Sequence, residues 1–96
     1  MTLVELQTAL APLRPTLNRL KVAELFVFGS VARGSATDGS DIDLLVRFTE
    51  PVGLFHFLRL QALLAETLGC PVDLVTQDAL KPVFREAVLK EAIRAA

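Results

Sequence analysis

Residues 41–48, DIDLLVRF, satisfy their own pattern in one regular conformation, an extended strand with one buried face. Ile42, Leu44, Val46 and Phe48 fall on one side, and Asp41, Asp43, Leu45 and Arg47 on the other. The apolar side must be core. The other side opens with two carboxylates at i and i+2, whose Cα atoms a strand holds about 6.5–7 Å apart. Just upstream, GSVARGSATDGS (29–40) reads as a glycine- and serine-rich loop with one helical turn at Val31–Arg33.

The flanking segments punctuate themselves. Thr2 followed by Glu5 is a capping box and predicts a helix start. Leucines at 3, 6, 10, 13, 17 and 20 hold one helical face, which Pro12 and Pro15 break into a kinked or doubled helix. Residues 24–28, ELFVF, predict a short buried strand stopped by Gly29. Leu54 to Leu68 predicts a helix that ends at Gly69, with Pro71 beyond. Val72 to Thr76 predicts a third strand with Asp73 in its middle. Asp78 and Pro82 open a last helix running to about Arg94, with Phe84, Val88 and Ala92 on one face and Glu86–Lys90 as a surface pair. The order predicts an α/β (α+β) fold, a three-stranded mixed sheet flanked by helices, in a single domain over 1–96.

Composition excludes several classes. Ten Lys and Arg against eleven Asp and Glu give a net charge of −1, without the basic excess needed to hold nucleic acid by its phosphates. One cysteine, Cys70, forbids an internal disulfide or a cysteine zinc cage, and one histidine, His56, forbids a multi-histidine site. No apolar run is long enough for a membrane span, and the N-terminus has no basic leader, so a cytoplasmic protein is expected. Hydrophobic residues reach 52% and mean hydropathy +0.48, more than a domain of this size is expected to bury. Part of that surface is expected to face a partner or a second copy of the chain.

Three strand acids raise a chemical expectation. If the Asp73 strand lies beside the Asp41–Asp43 strand, three carboxylates meet at one sheet edge, where like charges call for cations between them. Oxygen ligands without imidazole or thiolate select Mg²⁺ or Mn²⁺. In the loop, Gly29 and Ser30 offer backbone N–H groups and a hydroxyl to phosphate oxygens, and Arg33 offers a charged fork. Taken singly, each has an ordinary reading: acids bonding a turn, a plain Gly-Ser turn, a solvated arginine. Together, Gly-Ser, ten residues and Asp-x-Asp form a specific constellation. A Walker loop fails because Ser35 and Ala36 stand where Lys and Ser or Thr belong. An EF-hand fails because Leu45, Val46 and Arg47 follow the acids without a turn glycine.

FGSVARGSATDGSDIDLLV resembles the signature of the DNA polymerase β-type nucleotidyltransferase superfamily, and with PVDLVT it resembles the minimal nucleotidyltransferase (MNT) branch. The resemblance spans roughly Glu24 to Thr76. It implies the nucleotidyltransferase fold and Mg²⁺-dependent transfer of AMP from ATP. It further implies two ions held by Asp41, Asp43 and Asp73, with Asp73 helping to deprotonate the acceptor hydroxyl. Gly29, Ser30 and Arg33 would bind the β and γ phosphates.

Larger members of the superfamily carry extra domains for the acceptor, which this chain is expected to do without. In the minimal branch the partner resembles a HEPN-type RNase toxin, and the nucleotidyltransferase is the antitoxin that modifies it. Two other readings stand beside this protein adenylyltransferase: a non-catalytic antitoxin that occludes its toxin, and an aminoglycoside-like nucleotidyltransferase with a small-molecule acceptor. Phe55, Phe57, Leu58, Val83, Phe84, Leu89 and Ile93 are candidates for a docking face, with ordinary core as the default for each. Arg47 either meets a phosphate or balances charge. His56 is expected as a partly exposed neutral imidazole, and Cys70 as a small buried side chain.

Overall fold

Thr2 caps the first helix as its spacing requires. Its hydroxyl accepts from the Glu5 N–H at 3.2 Å, and the Glu5 carboxylate accepts from the Thr2 N–H at 3.3 Å. In the computed structural model, which describes residues 1–37 and 39–96, this helix is α1 (Leu3–Leu10). A 3₁₀ turn carrying Pro12 (Ala11–Leu13) separates it from α2 (Arg14–Arg19). The prolines split the leucine face without turning it: Leu6, Leu10 and Leu17 are all fully buried.

The chain continues as β1 (Val22–Phe28), α3 (Gly29–Arg33), β2 (Ile42–Phe48), α4 (Leu54–Leu68) and β3 (Val72–Thr76). A 3₁₀ turn at Gln77–Ala79 precedes α5 (Pro82–Glu91) and β4 (Ile93–Arg94). The helical turn expected at Val31 begins two residues earlier, directly at the end of β1. Of the loop expected over 29–40, position 38 lies outside the described residues.

The sheet has four strands in the order β3-β2-β1-β4, where three were expected. β2 lies antiparallel to β1 and parallel to β3, and α4 makes the crossover that a parallel pair requires. The fourth strand comes from residues assigned to the last helix. That helix ends at Glu91 because Ala92 turns extended (φ −62, ψ 133), and Ile93 and Arg94 then pair with Val27 and Phe26. Leu25 donates its N–H to the Ala96 carbonyl at 2.9 Å and accepts from the Ala95 N–H at 2.8 Å. The open edge of β1 thus finds partners for backbone groups that would otherwise lack them.

One face of the sheet carries Leu25, Val27, Ile42, Leu44, Val46, Val72 and Leu74, buried with leucines of α1, α2 and α4. The other carries the acids. Along it Glu24 binds Arg47, which donates from Nε at 2.6 Å, and pairs with Arg94 at 3.2 Å, joining β1, β2 and β4. Arg47 therefore balances charge. Leu45, expected on the acid-bearing side, is buried there, facing a cavity of about 230 Å³ walled by Phe26, Leu89 and Ala92.

The last helix differs from its expected face. No α5 residue is buried; Arg85 and Val88 are half-covered while Phe84 points to solvent. Core was the default for seven docking candidates. Phe57 and Ile93 do pack against the core, but Phe55 (84% exposed), Leu58, Val83, Phe84 and Leu89 stay open. Among the described residues, no helix is long and apolar enough to cross a membrane.

Leu44→Ala should therefore cost about 2–5 kcal/mol in chemical denaturation, whereas Phe55→Ala should stay within about 0.5 kcal/mol of the parent. A cost above about 2 kcal/mol for Phe55→Ala would show that this side chain belongs to the core.

Candidate active site

The site is built where β1 gives way to α3. Gly29 takes φ +73, and a Cβ there would stand 2.1 Å from Oδ2 of Asp43 and 3.1 Å from its Cγ. Only glycine permits this close approach of main chain to carboxylate. The turn it begins is closed by Gly34 in the left-handed region, and no side chain caps its start. Ser30 is half-buried in the first turn and Arg33 is the last helical residue.

Strand register gathers the acids. Asp43 lies opposite Phe28 on β1 and level with Asp73 on β3. Neighbouring strands run about 4.8 Å apart, and paired residues share a face, so the two carboxylates emerge side by side. Asp41 stands exposed immediately before β2. The pKa of Asp43 is raised, first by burial and then by the charges of Asp73 and Asp41; Arg33 opposes the shift and Glu91 adds to it. The charges of Asp41 and Asp73 thus both bear on Asp43.

Arg33 itself is engaged. Its Nη1 donates to Oε1 of Glu91, at the end of α5, at 2.7 Å. Glu91 carried no role in the sequence reading, because only the tertiary path brings the end of α5 beside α3. Other polar candidates lie elsewhere: His56 Nε2 is hydrogen-bonded to the Leu20 carbonyl at 2.5 Å, and Cys70 is half-buried against the core.

Among the described residues, no group of three or more His, Cys, Asp or Glu side chains is arranged to hold an ion. Mutual repulsion opposes such a gathering. The acids near Asp43 are oxygen donors, the chemistry a hard divalent cation takes, and strand register sets Asp43 and Asp73 level with each other while Asp41 stands exposed just before β2.

The raised Asp43 pKa has a consequence for stability. Folding favours the protonated acid, so stability falls as pH rises from the ordinary carboxylate value through the higher folded one, and the whole penalty stands above it. With chelator present, Asp43→Asn should raise the melting temperature at pH 7. The gain should vanish below about pH 4, where the carboxyl is protonated in both states. Thermal scans at both pH values check this, and a lower melting temperature at pH 7 would contradict it.

The nucleotidyltransferase domain family matches residues 12–95. Protein adenylyltransferase MntA of Thermococcus cleftensis is 39% identical over 94 residues, covering 97% of this chain and 95% of the relative. A solved structure assigned as a minimal nucleotidyltransferase superimposes with TM-score 0.82 at 42% identity, covering 97% of this chain and 95% of the other. A chain from a complex of tri-AMPylated Shewanella oneidensis HEPN toxin with MNT antitoxin superimposes with TM-score 0.68 at 22% identity, over 95% of this chain and 71% of that one; this likeness shows the fold. With a family match over residues 12–95 and a 39% identical relative aligned along nearly the whole length, the chain belongs to the nucleotidyltransferase domain family, in its minimal MntA-like branch.

Proposed function

We propose that this nucleotidyltransferase moves AMP from ATP to a hydroxyl of a partner protein in a Mg²⁺-dependent reaction, and that the partner is a HEPN-type toxin for which it is the antitoxin. One observation carries the reading: the Gly29 main chain lies against Asp43, whose charge is coupled to Asp41 and Asp73, so a phosphate-holding turn adjoins a set of oxygen ligands. Names of similar proteins support the rest, namely the adenylyltransferase MntA and the complex of an AMPylated HEPN toxin.

In this mechanism Asp41, Asp43 and Asp73 would hold Mg²⁺, or Mn²⁺ in its place. When bound, the ions polarise the α-phosphoryl group and neutralise the departing pyrophosphate. Gly29 and Ser30 hold the β and γ phosphates with N–H and hydroxyl donors, and Arg33 adds its guanidinium. The acceptor oxygen forms a bond to the α-phosphorus as the bond to pyrophosphate breaks. Asp73 takes the hydroxyl proton. The acceptor belongs to a protein rather than to nucleic acid, in keeping with the net charge of −1, and cytoplasmic ATP is the donor.

The exposed Phe55, Leu58, Val83 and Phe84 favour a second reading, an antitoxin that acts by docking alone. Labelled ATP separates the two. With Mg²⁺ and lysate of the protein's own host shown to contain the toxin, label at the α-phosphate should stay on a protein and label at the γ-phosphate should not. Asp41→Asn or Asp43→Asn should reduce transfer at least about 100-fold, and chelator should abolish it. Retention of neither label, with toxin still neutralised, would establish the docking-only antitoxin.

A further inference from the structure

Arg33 and Glu91 stand 58 positions apart, and the fold brings them into a hydrogen-bonded ion pair at 2.7 Å. The partners are not equivalent. Glu91 is 26% exposed and held from both sides: it ends α5, and the chain beyond it enters the sheet as β4, with Ile93 opposite Val27 and Arg94 opposite Phe26. Arg33 is 59% exposed and closes a five-residue helix followed by a glycine. An anchored carboxylate thus restrains a long side chain on a short turn.

A pair this exposed adds little to stability. Its geometry has another consequence. A guanidinium carries five N–H donors in a rigid fork. Glu91 engages it through Nη1, and among the described residues the Nε and Nη2 edge has no hydrogen-bond partner, so it remains able to take an anion. Both charges also lie within electrostatic reach of Asp43, so the pair borders the acids.

We propose that Glu91 is a positioning residue for nucleotide binding: it holds the Arg33 guanidinium beside the Gly29 turn with Nε and Nη2 presented to the polyphosphate. This rests on the reading of Gly29–Arg33 as the phosphate-holding turn. Because the arginine is ordered before the nucleotide arrives, less side-chain freedom is lost on binding. The opposite role, a carboxylate competing with phosphate for Arg33, predicts the opposite sign.

Calorimetric titration of the full chain with Mg·ATP decides between them. Glu91→Ala should weaken binding about three- to ten-fold. Glu91→Gln, which keeps an acceptor oxygen, should recover most of that loss. On an Arg33→Ala background, Glu91→Ala should have no further effect. In the free protein, the Arg33 Nε–H resonance should become more mobile in Glu91→Ala and not in Glu91→Gln, a readout independent of nucleotide. Unchanged or tighter binding in Glu91→Ala would overturn the proposal, as would an equal loss on the Arg33→Ala background. A parent chain that binds Mg·ATP without transferring label would sink the transfer reading alone; one that binds no Mg·ATP would sink both.

Discussion

The tightest constraint in the molecule is the approach of the Gly29 main chain to the Asp43 carboxylate. With a Cβ only 2.1 Å from Oδ2, any side chain at position 29 would displace the Asp43 carboxylate, and φ +73 strains any residue but glycine. That approach requires β1 and β2 to be neighbours in the register that sets Phe28 opposite Asp43. β2 then has one edge left for β3. Parallel pairing through α4 brings Asp73 level with Asp43 rather than leaving it on a distant strand. Loop, strand acids and crossover helix are consequences of one contact.

The same geometry divides the sheet into a face that stabilises and a face that resists folding. Leucines and valines of β1, β2 and β3 meet the helices on one side with no buried polar or charged residue among those described. On the other, Asp43 sits partly buried among like charges, and the nearby cations are shared out: Arg47 and Arg94 to Glu24, Arg33 to Glu91. The acid edge is left short of positive charge. A natural chain keeps such an arrangement where function compensates for it, which is the physical ground for the cation in the proposed reaction.

Much of this was legible from residue order, for identifiable reasons. The capping box, the two prolines, the alternation of 42–48 and the glycine after α4 are local devices whose physics acts within a few residues. The Gly-Ser, Asp-x-Asp spacing picked out residues that the fold brings against one another, Gly29 beside Asp43. What escaped depends on the far side of the molecule. Ile93 and Arg94 make too short a strand to show a period of two, and their helical spacing is broken only because β1 offers an open edge. Phe84 looked like core because Phe84, Val88 and Ala92 repeat every four residues, yet α5 turns Arg85 inward, and Arg85 donates to the Leu80 carbonyl at 3.3 Å. Glu91 had no sequence signature at all, since its role exists only once α5 returns to α3.

The path of α5 links the molecule's two unusual features, its apolar surface and its acid edge. The helix starts just beyond the turn that follows β3, at the end of the strands away from Asp43 and Asp73, and runs about 15 Å before Glu91 meets Arg33. With no buried residue of its own, it is joined to the rest of the fold by half-covered side chains, by the Glu91 pair with Arg33 of α3, and by its continuation into β4. Val83, Phe84 and Leu89 are exposed along it. A partner that covers them rests on the element whose last residue pairs with Arg33. α5 thus joins exposed apolar side chains to the carboxylate that pairs with Arg33, while Phe55 and Leu58 leave further open apolar surface on α4, which packs on the sheet face opposite the acids.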